Sequence, residues 1–526
     1  MQYVRQFLLH RRHYAILLFI LMAASLVLNR VAMLSGLSPL VHIKGNSDTA
    51  VAVAGAAGMV QIIVSFFCLG DLNGFHVNYY TVIPMLAFFA NNVGKLYMVL
   101  RVKDNFKFVS SKGQKYASKI YNNESVAMQM MSGTAADRPI IAYQHKTEFP
   151  SNFSKYLMHP IRARIWRKAC PITTIASIII AVMYGVVKLS FADALNAFAL
   201  ITAVSVPVAT LLSVNAPVRK LCKTLLSYGS MLSGYPSVKQ FCDSTAIMID
   251  ANELFPAESI SLEGIKTFED YGIDESLLCG IAILKEAQNP IANAFDSVVA
   301  ETEETLPEVE SVLYEDEIGL VGWIKSERIL VGSRTLMEKY SVEVPNMEYE
   351  EKYTSQGRQV TYLSRAGRLV AMFVTRYTPD AQLKAEMQRA ETNGISFLIR
   401  TTDYNVTNDL IAKLYDLFYR SIKVLPTGLG NVLKEAEDTV EETSRSYLIT
   451  NGKAASLARA VTGCVKIKHN ISLSIIIQLI AVIFGLLVAS TLSLYAGVQV
   501  MGSLEVLIYA LFWGAAAVFA PAVQKP

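Results

Sequence analysis

Two short apolar runs close on oxygen-bearing side chains. Residues 244–250 end at Asp250, and residues 394–403 end in Arg400-Thr401-Thr402-Asp403. Runs of this length with polar flanks read as buried strands, and helical patterns at 380–393 and 405–419 separate some of them. Strands alternating with helices predict a parallel, doubly wound sheet. Such a sheet gathers its functional groups at the carboxyl ends of its strands. Asp250, Thr401, Thr402 and Asp403 are therefore expected at one edge. Runs at 421–426 and 446–450 add two more strands.

The stretch 259–374 interrupts this sheet. Its strand-like runs at 309–314, 320–324, 328–332, 359–364 and 368–374 read as an inserted α+β unit. The six cysteines, Cys68, Cys170, Cys222, Cys242, Cys279 and Cys464, include no CxxC pair and have no His-rich partner segment. That argues against a zinc site and a disulfide framework. A net charge of +4, with no basic stripe, argues against a nucleic-acid partner.

The chain is 52% hydrophobic and only 17% charged, too apolar for a soluble protein throughout. Seven runs approach the ~20 apolar residues needed to cross a bilayer: 14–34, 50–70, 79–100, 171–190, 194–214, 471–496 and 503–523. The first follows Arg11-Arg12-His13 as a signal peptide would, but no A-x-A site follows, so a retained helix is expected. Residues 101–168 carry 13 Lys or Arg, which predicts a cytoplasmic loop. The charged part at 215–470 follows two spans later and shares that side. Three spans before that loop put Arg5, Arg11 and Arg12 outside, against the same rule. Either the first run does not span, or the N-terminus is an exception or truncated.

This order of parts resembles the heavy-metal-transporting branch of the P-type ATPases, over about residues 50–496. The resemblance implies a polytopic α-helical membrane protein with a cytoplasmic α/β domain of the haloacid-dehalogenase type and a nucleotide-binding-like α+β insertion. The parts are about three membrane helices (1–100), a reduced actuator-like segment (101–168), and a helix pair containing Pro207 (169–214). A phosphorylation-like domain (215–258 and 375–465) follows, split by the insertion (259–374), and a last helix pair (466–526) closes the chain. The lipid bilayer is the first partner implied, and a bacterial plasma membrane is the expected setting.

The family's motifs are present in altered form. Its membrane-helix proline corresponds to Pro207 in Ser205-Val206-Pro207-Val208, an ion-path position without the usual flanking cysteines. A proline there frees backbone carbonyls. The aspartyl-phosphate strand corresponds to Asp250-Ala251-Asn252-Glu253-Leu254, where the nucleophile remains and the Lys-Thr-Gly-Thr does not. The adenine-contacting His-Pro corresponds to Asn289-Pro290, and the glycine stretch to Gly319, Gly322 and Gly332, implying contacts to ATP. Thr-Gly-Asp corresponds to Thr401-Thr402-Asp403. The actuator's Thr-Gly-Glu-Ser is echoed by Asn123-Glu124-Ser125. The hinge Gly-Asp-Gly-x-Asn-Asp has no counterpart. After Leu425-Pro426 the stretch 431–445, with Glu435, Glu437, Asp438, Glu441 and Glu442, reads as a solvated helix face. Asp250 and Asp403 are then the Mg²⁺ candidates left.

Three readings follow. The chain is a non-catalytic relative of a cation-transporting ATPase, regulating a membrane-protein partner or scaffolding. Alternatively it is an active metal pump that uses Mg²⁺ and ATP and forms an aspartyl-phosphate at Asp250, with Thr401 and Asp403 assisting. The third reading, a membrane-tethered phosphatase, lacks the acid it needs two residues after the nucleophile, where Asn252 stands.

Overall fold

The computed structural model describes residues 2–68, 78–136, 138–151, 164–268, 273–296, 305–354, 357–431, 441–445 and 447–523. Helix α1 (Gln2–Leu28) is followed by α2 (Arg30–Leu37), and the chain bends by 76° between them. The uncharged α3 (Thr49–Cys68) and α4 (Val82–Val109) lead into strand β1 (Lys115–Ile120). Helix α5 (Glu124–Met131) comes next, its N-cap Asn123 accepting from the Val126 N–H at 3.3 Å. It is followed by β2 (Ile141–Ser151).

The chain returns to the bundle through α6 (Arg164–Lys188), α7 (Phe191–Val204) and α8 (Thr210–Ser227). Then come β3 (Ser230–Leu232), β4 (Ala246–Asp250), β5 (Ile260–Thr267), α9 (Ile273–Glu286), β6 (Ser311–Glu315), β7 (Gly319–Ile324) and β8 (Glu327–Gly332). Next are β9 (Gln359–Arg365), β10 (Arg368–Tyr377), β11 (Ser396–Arg400), β12 (Ile422–Val424), β13 (Glu441–Arg445) and β14 (Leu448–Thr450). The 43-residue α10 (Ala454–Ala496) runs from the sheets into the bundle, and α11 (Ser503–Val523) ends it.

Five helices among the described residues are long and apolar enough to cross a bilayer, and the bent α1–α2 pair makes a sixth if it counts as one span. The run expected at 194–214 is not one continuous helix. It stops at Val204 and restarts at Thr210, because Pro207 lacks the N–H that would continue the ladder.

The strand that ends at Asp250 lies in an eight-stranded sheet in the order β12-β11-β4-β2-β1-β14-β3, with β13 also on β2. Its β12, β11, β4 and β2 run parallel, as expected, but β1, β14 and β3 pair antiparallel, so the sheet is mixed. The strand beside β4 is β2, in register Ile141↔Ala246 and Ala142↔Ile247. Helix α5 covers this face: Ala127, Met130 and Met131 pack with Ala246, Met248 and Leu398. The segment expected as a reduced actuator is therefore built into the sheet that carries Asp250, and is not a body of its own. Glu124 begins α5 and is exposed. Glu441 and Glu442, expected on a helix face, fall in β13; Glu435, Glu437 and Asp438 lie outside the described residues.

The insertion is a six-stranded antiparallel sheet, β5-β10-β9-β8-β7-β6, with α9 on one face. Its core is continuous with that of the first sheet, where Phe255, just after β4, meets Tyr377 of β10 edge-on.

Candidate functional site

Asp250 ends β4 and caps the single turn Ala251–Leu254. Its Oδ1 accepts from the Asn252 backbone N–H at 2.9 Å and from Asn252 Nδ2 at 3.0 Å. Its Oδ2 accepts from Arg400 Nε at 2.9 Å and Nη2 at 2.8 Å. The parallel register pairs Arg400 with Asp250 across β11 and β4, so the guanidinium faces the carboxylate by construction. Both carboxylate oxygens are thus engaged, one of them by a fixed cation.

The second carboxylate looks elsewhere. Asp403 is fully buried and accepts from the Tyr377 hydroxyl and, at 3.0 Å, from the Asn405 N–H. Burial raises its pKa to about 6, against the pull of those hydrogen bonds. Thr401 Oγ1 accepts from the Asp403 N–H at 2.9 Å, closing the turn. Asp250, Arg400, Thr401 and Thr402 line one cleft of about 40 Å³ that Asp403 does not line. The expected Asp250–Asp403 pair for Mg²⁺ is therefore not presented to a common space.

The insertion closes over the same edge. Asn289 caps the turn at Pro290–Phe295 by accepting from the Ile291 N–H at 2.9 Å, and its Nδ2 donates to the Thr402 carbonyl at 2.8 Å. Both Asn289 and Pro290 are buried. Asn252 Nδ2 donates to the Gln288 carbonyl at 2.8 Å, and Asn405 Nδ2 to Thr361 Oγ1 at 3.1 Å. The residue expected against adenine is a strut between the two sheets. The three glycines serve packing. Gly319 and Gly332 face each other across β7 and β8, where a Cβ on Gly319 would lie 2.6 Å from the Gly332 Cα. A Cβ on Gly322 would lie 1.9 Å from Ile283 Cδ1 of α9.

In the bundle, the break around Pro207 is buried. Ser205 donates back to the Ile201 carbonyl at 2.7 Å, and Thr210 donates to the Pro207 carbonyl at 3.0 Å. Gln478 of α10 accepts from Thr210 at 2.9 Å and donates to Ser213 at 2.9 Å, so the polar groups satisfy one another.

These residues do not fit Mg²⁺ and ATP. Among the described residues the only cation lining the cleft is Arg400, and it is already bonded to Asp250. The neighbouring cleft of about 380 Å³ is lined by Asp316, Glu317 and Asp409 and by no lysine or arginine, a field that repels phosphate. Among the described residues no three His, Cys, Asp or Glu side chains come together as a metal site. Sequence reading missed Arg400 and Asn252 as the partners of Asp250. The signal was available: two runs that pair in parallel end on a cation and an acid at matching positions.

No family model matches the chain. A copper-exporting P-type ATPase of Legionella pneumophila is 21% identical over 171 residues, 32% of this chain and 23% of that protein. A silver-exporting P-type ATPase of Salmonella typhimurium is 23% identical over 211 residues, 39% of this chain and 25% of that protein. The chain is similar to P-type ATPases of the heavy-metal branch. It spans about a quarter of the length of these curated relatives. The crystal structure of a zinc-transporting PIB-type ATPase in the E2.Pi state covers 97% of this chain, which covers 98% of that one, at 12% identity and a TM-score of 0.43.

Proposed function

We propose that this chain is a non-catalytic relative of the heavy-metal P-type ATPases, with a regulatory or scaffolding role in the membrane. One observation carries the reading: Arg400 and Asn252 occupy both oxygens of Asp250. A carboxylate attacks a phosphoryl group only with a free oxygen and with metal and donors placed around the phosphate. Here the place of those cations is taken by a guanidinium on the next strand. The struts from Asn252 to Gln288 and from Asn289 to Thr402 hold the insertion against the edge where a triphosphate would enter.

The names of the relatives suggest a soft cation as cargo, which thiolate or thioether ligands select. The break at Pro207 carries valines on both sides, and its hydroxyls are already bonded. The competing reading, a working pump, has one observation in its favour: Asp250 still ends a central parallel strand.

Phosphoenzyme formation separates the two. The detergent-purified chain and Asp250→Asn are mixed with γ-labelled ATP and Mg²⁺ and quenched in acid. No acid-stable label on either protein is expected. Label on the parent that disappears in Asp250→Asn would overturn the proposal and restore the pump.

A further inference from the structure

A second cleft, which shares no lining residue with the one at Asp250, lies at the start of α6. It measures about 710 Å³ and carries Lys44, Arg167 and Lys168, all exposed. Among the described residues none of the three has an acidic partner. Three cations without counter-ions in one concave space create a standing demand for an anion.

The two walls are fixed to each other. The Gly45 N–H donates to the Arg167 carbonyl at 3.0 Å, and Cys170 Sγ contacts the Asn46 carbonyl at 3.6 Å. Ile43 is held in left-handed backbone, φ +53°, with 71% of its surface exposed. Arg167 and Lys168 stand one turn ahead of Pro171, where the apolar stretch of α6 begins. Beyond that point the cleft is lined by Ile172 and Ile175, 65% and 47% exposed. Cationic groups at one end and bare aliphatic surface at the other match a molecule with an anionic head and hydrocarbon tails. Basic pockets between membrane helices recognise anionic headgroups in this way.

We propose that this cleft seats one anionic phospholipid, with its phosphate among Lys44, Arg167 and Lys168 and its acyl chains along Ile172 and Ile175. The site is independent of any chemistry at Asp250.

Native mass spectrometry of the full chain in neutral detergent tests it. Equal amounts of phosphatidylglycerol and phosphatidylcholine with the same acyl chains are added. Preferential retention of phosphatidylglycerol is expected. Each of Lys44→Gln, Arg167→Gln and Lys168→Gln should lower it about five-fold, while Lys188→Gln, at the far end of α6, should leave it unchanged. Ile43→Glu, which adds a carboxylate among the cations without removing one, should also lower it and guards against misfolding of the others. Equal retention of the two lipids would overturn the proposal. So would unchanged retention in the lysine and arginine variants, or displacement of phosphatidylglycerol by millimolar inorganic phosphate, which would mark a free-anion site.

Discussion

Arg400 places Nε and Nη2 on one oxygen of Asp250, and the two side chains are 17% and 24% exposed. A pair this shielded gains more than a surface ion pair and less than a fully buried one. A double-mutant cycle with Asp250→Asn and Arg400→Met should give a coupling of about 1–2 kcal/mol in stability. Thermal midpoints of the four detergent-purified proteins check it; additive shifts would mean the contact contributes nothing. Asp403 makes a prediction of opposite character. Its folded pKa of about 6 lies above the ordinary carboxylate value near 3.9. The folded state keeps the proton where the unfolded chain has lost it. The associated stability is therefore fully present below about pH 4 and lost as pH rises through about 6. Asp403→Asn cannot titrate, so it should gain on the parent by about 2 kcal/mol between pH 4.5 and pH 7. A midpoint difference that stays constant across that range would sink the idea.

Among the elements, β7 is the clearest case of a motif whose meaning changed. Its Gly322 takes Ile283 of α9 into the space a side chain would fill. Gly322→Ala should cost about 2–3 kcal/mol by overpacking. Adding Ile283→Ala should recover part of that loss, read as resistance of the insertion to limited proteolysis. A substitution that weakens nucleotide binding but leaves stability alone would favour the ligand role expected from sequence. Most of the strands were legible. Apolar runs at 244–250, 394–403, 421–426 and 446–450 became β4, β11, β12 and β14, and all five runs of the insertion became strands. Strands β1, β2, β3, β5 and β13 were not, and for β1 and β2 the reason is physical. Lys115, Lys119 and Lys146 give them the composition of a cytoplasmic loop, and β2 finds β4 only after a separation of about a hundred residues, which no local pattern encodes. The site divided in the same way: Asp250 and Thr401 were placed correctly at the strand ends, while Arg400 depended on a register that only the paired sheet reveals.

The placement of β2 constrains how the molecule as a whole can move. A segment that moved as a body separate from the strand bearing Asp250 would have to leave this sheet. Here β2 lies between β4 and β1, with α5 packed over Ala246 and Met248, so separating it would expose apolar core and break a ladder. The α10 helix runs on from β14 into the membrane, and Arg459 on it approaches Glu386, which is buried at 1% side-chain exposure. Bundle and sheets are thereby joined by continuous structure. Amide hydrogen exchange measures whether this holds in solution. The N–H groups of Ile141 and Ala142 should be as protected as those of Ile247 to Ile249, because opening either strand disrupts the same sheet. Adding Mg²⁺ and ATP should leave both sets unchanged. If β2 exchanges within seconds while β4 does not, or loses protection when nucleotide is added, the segment moves as an actuator does and the fused sheet is only one state of a working cycle.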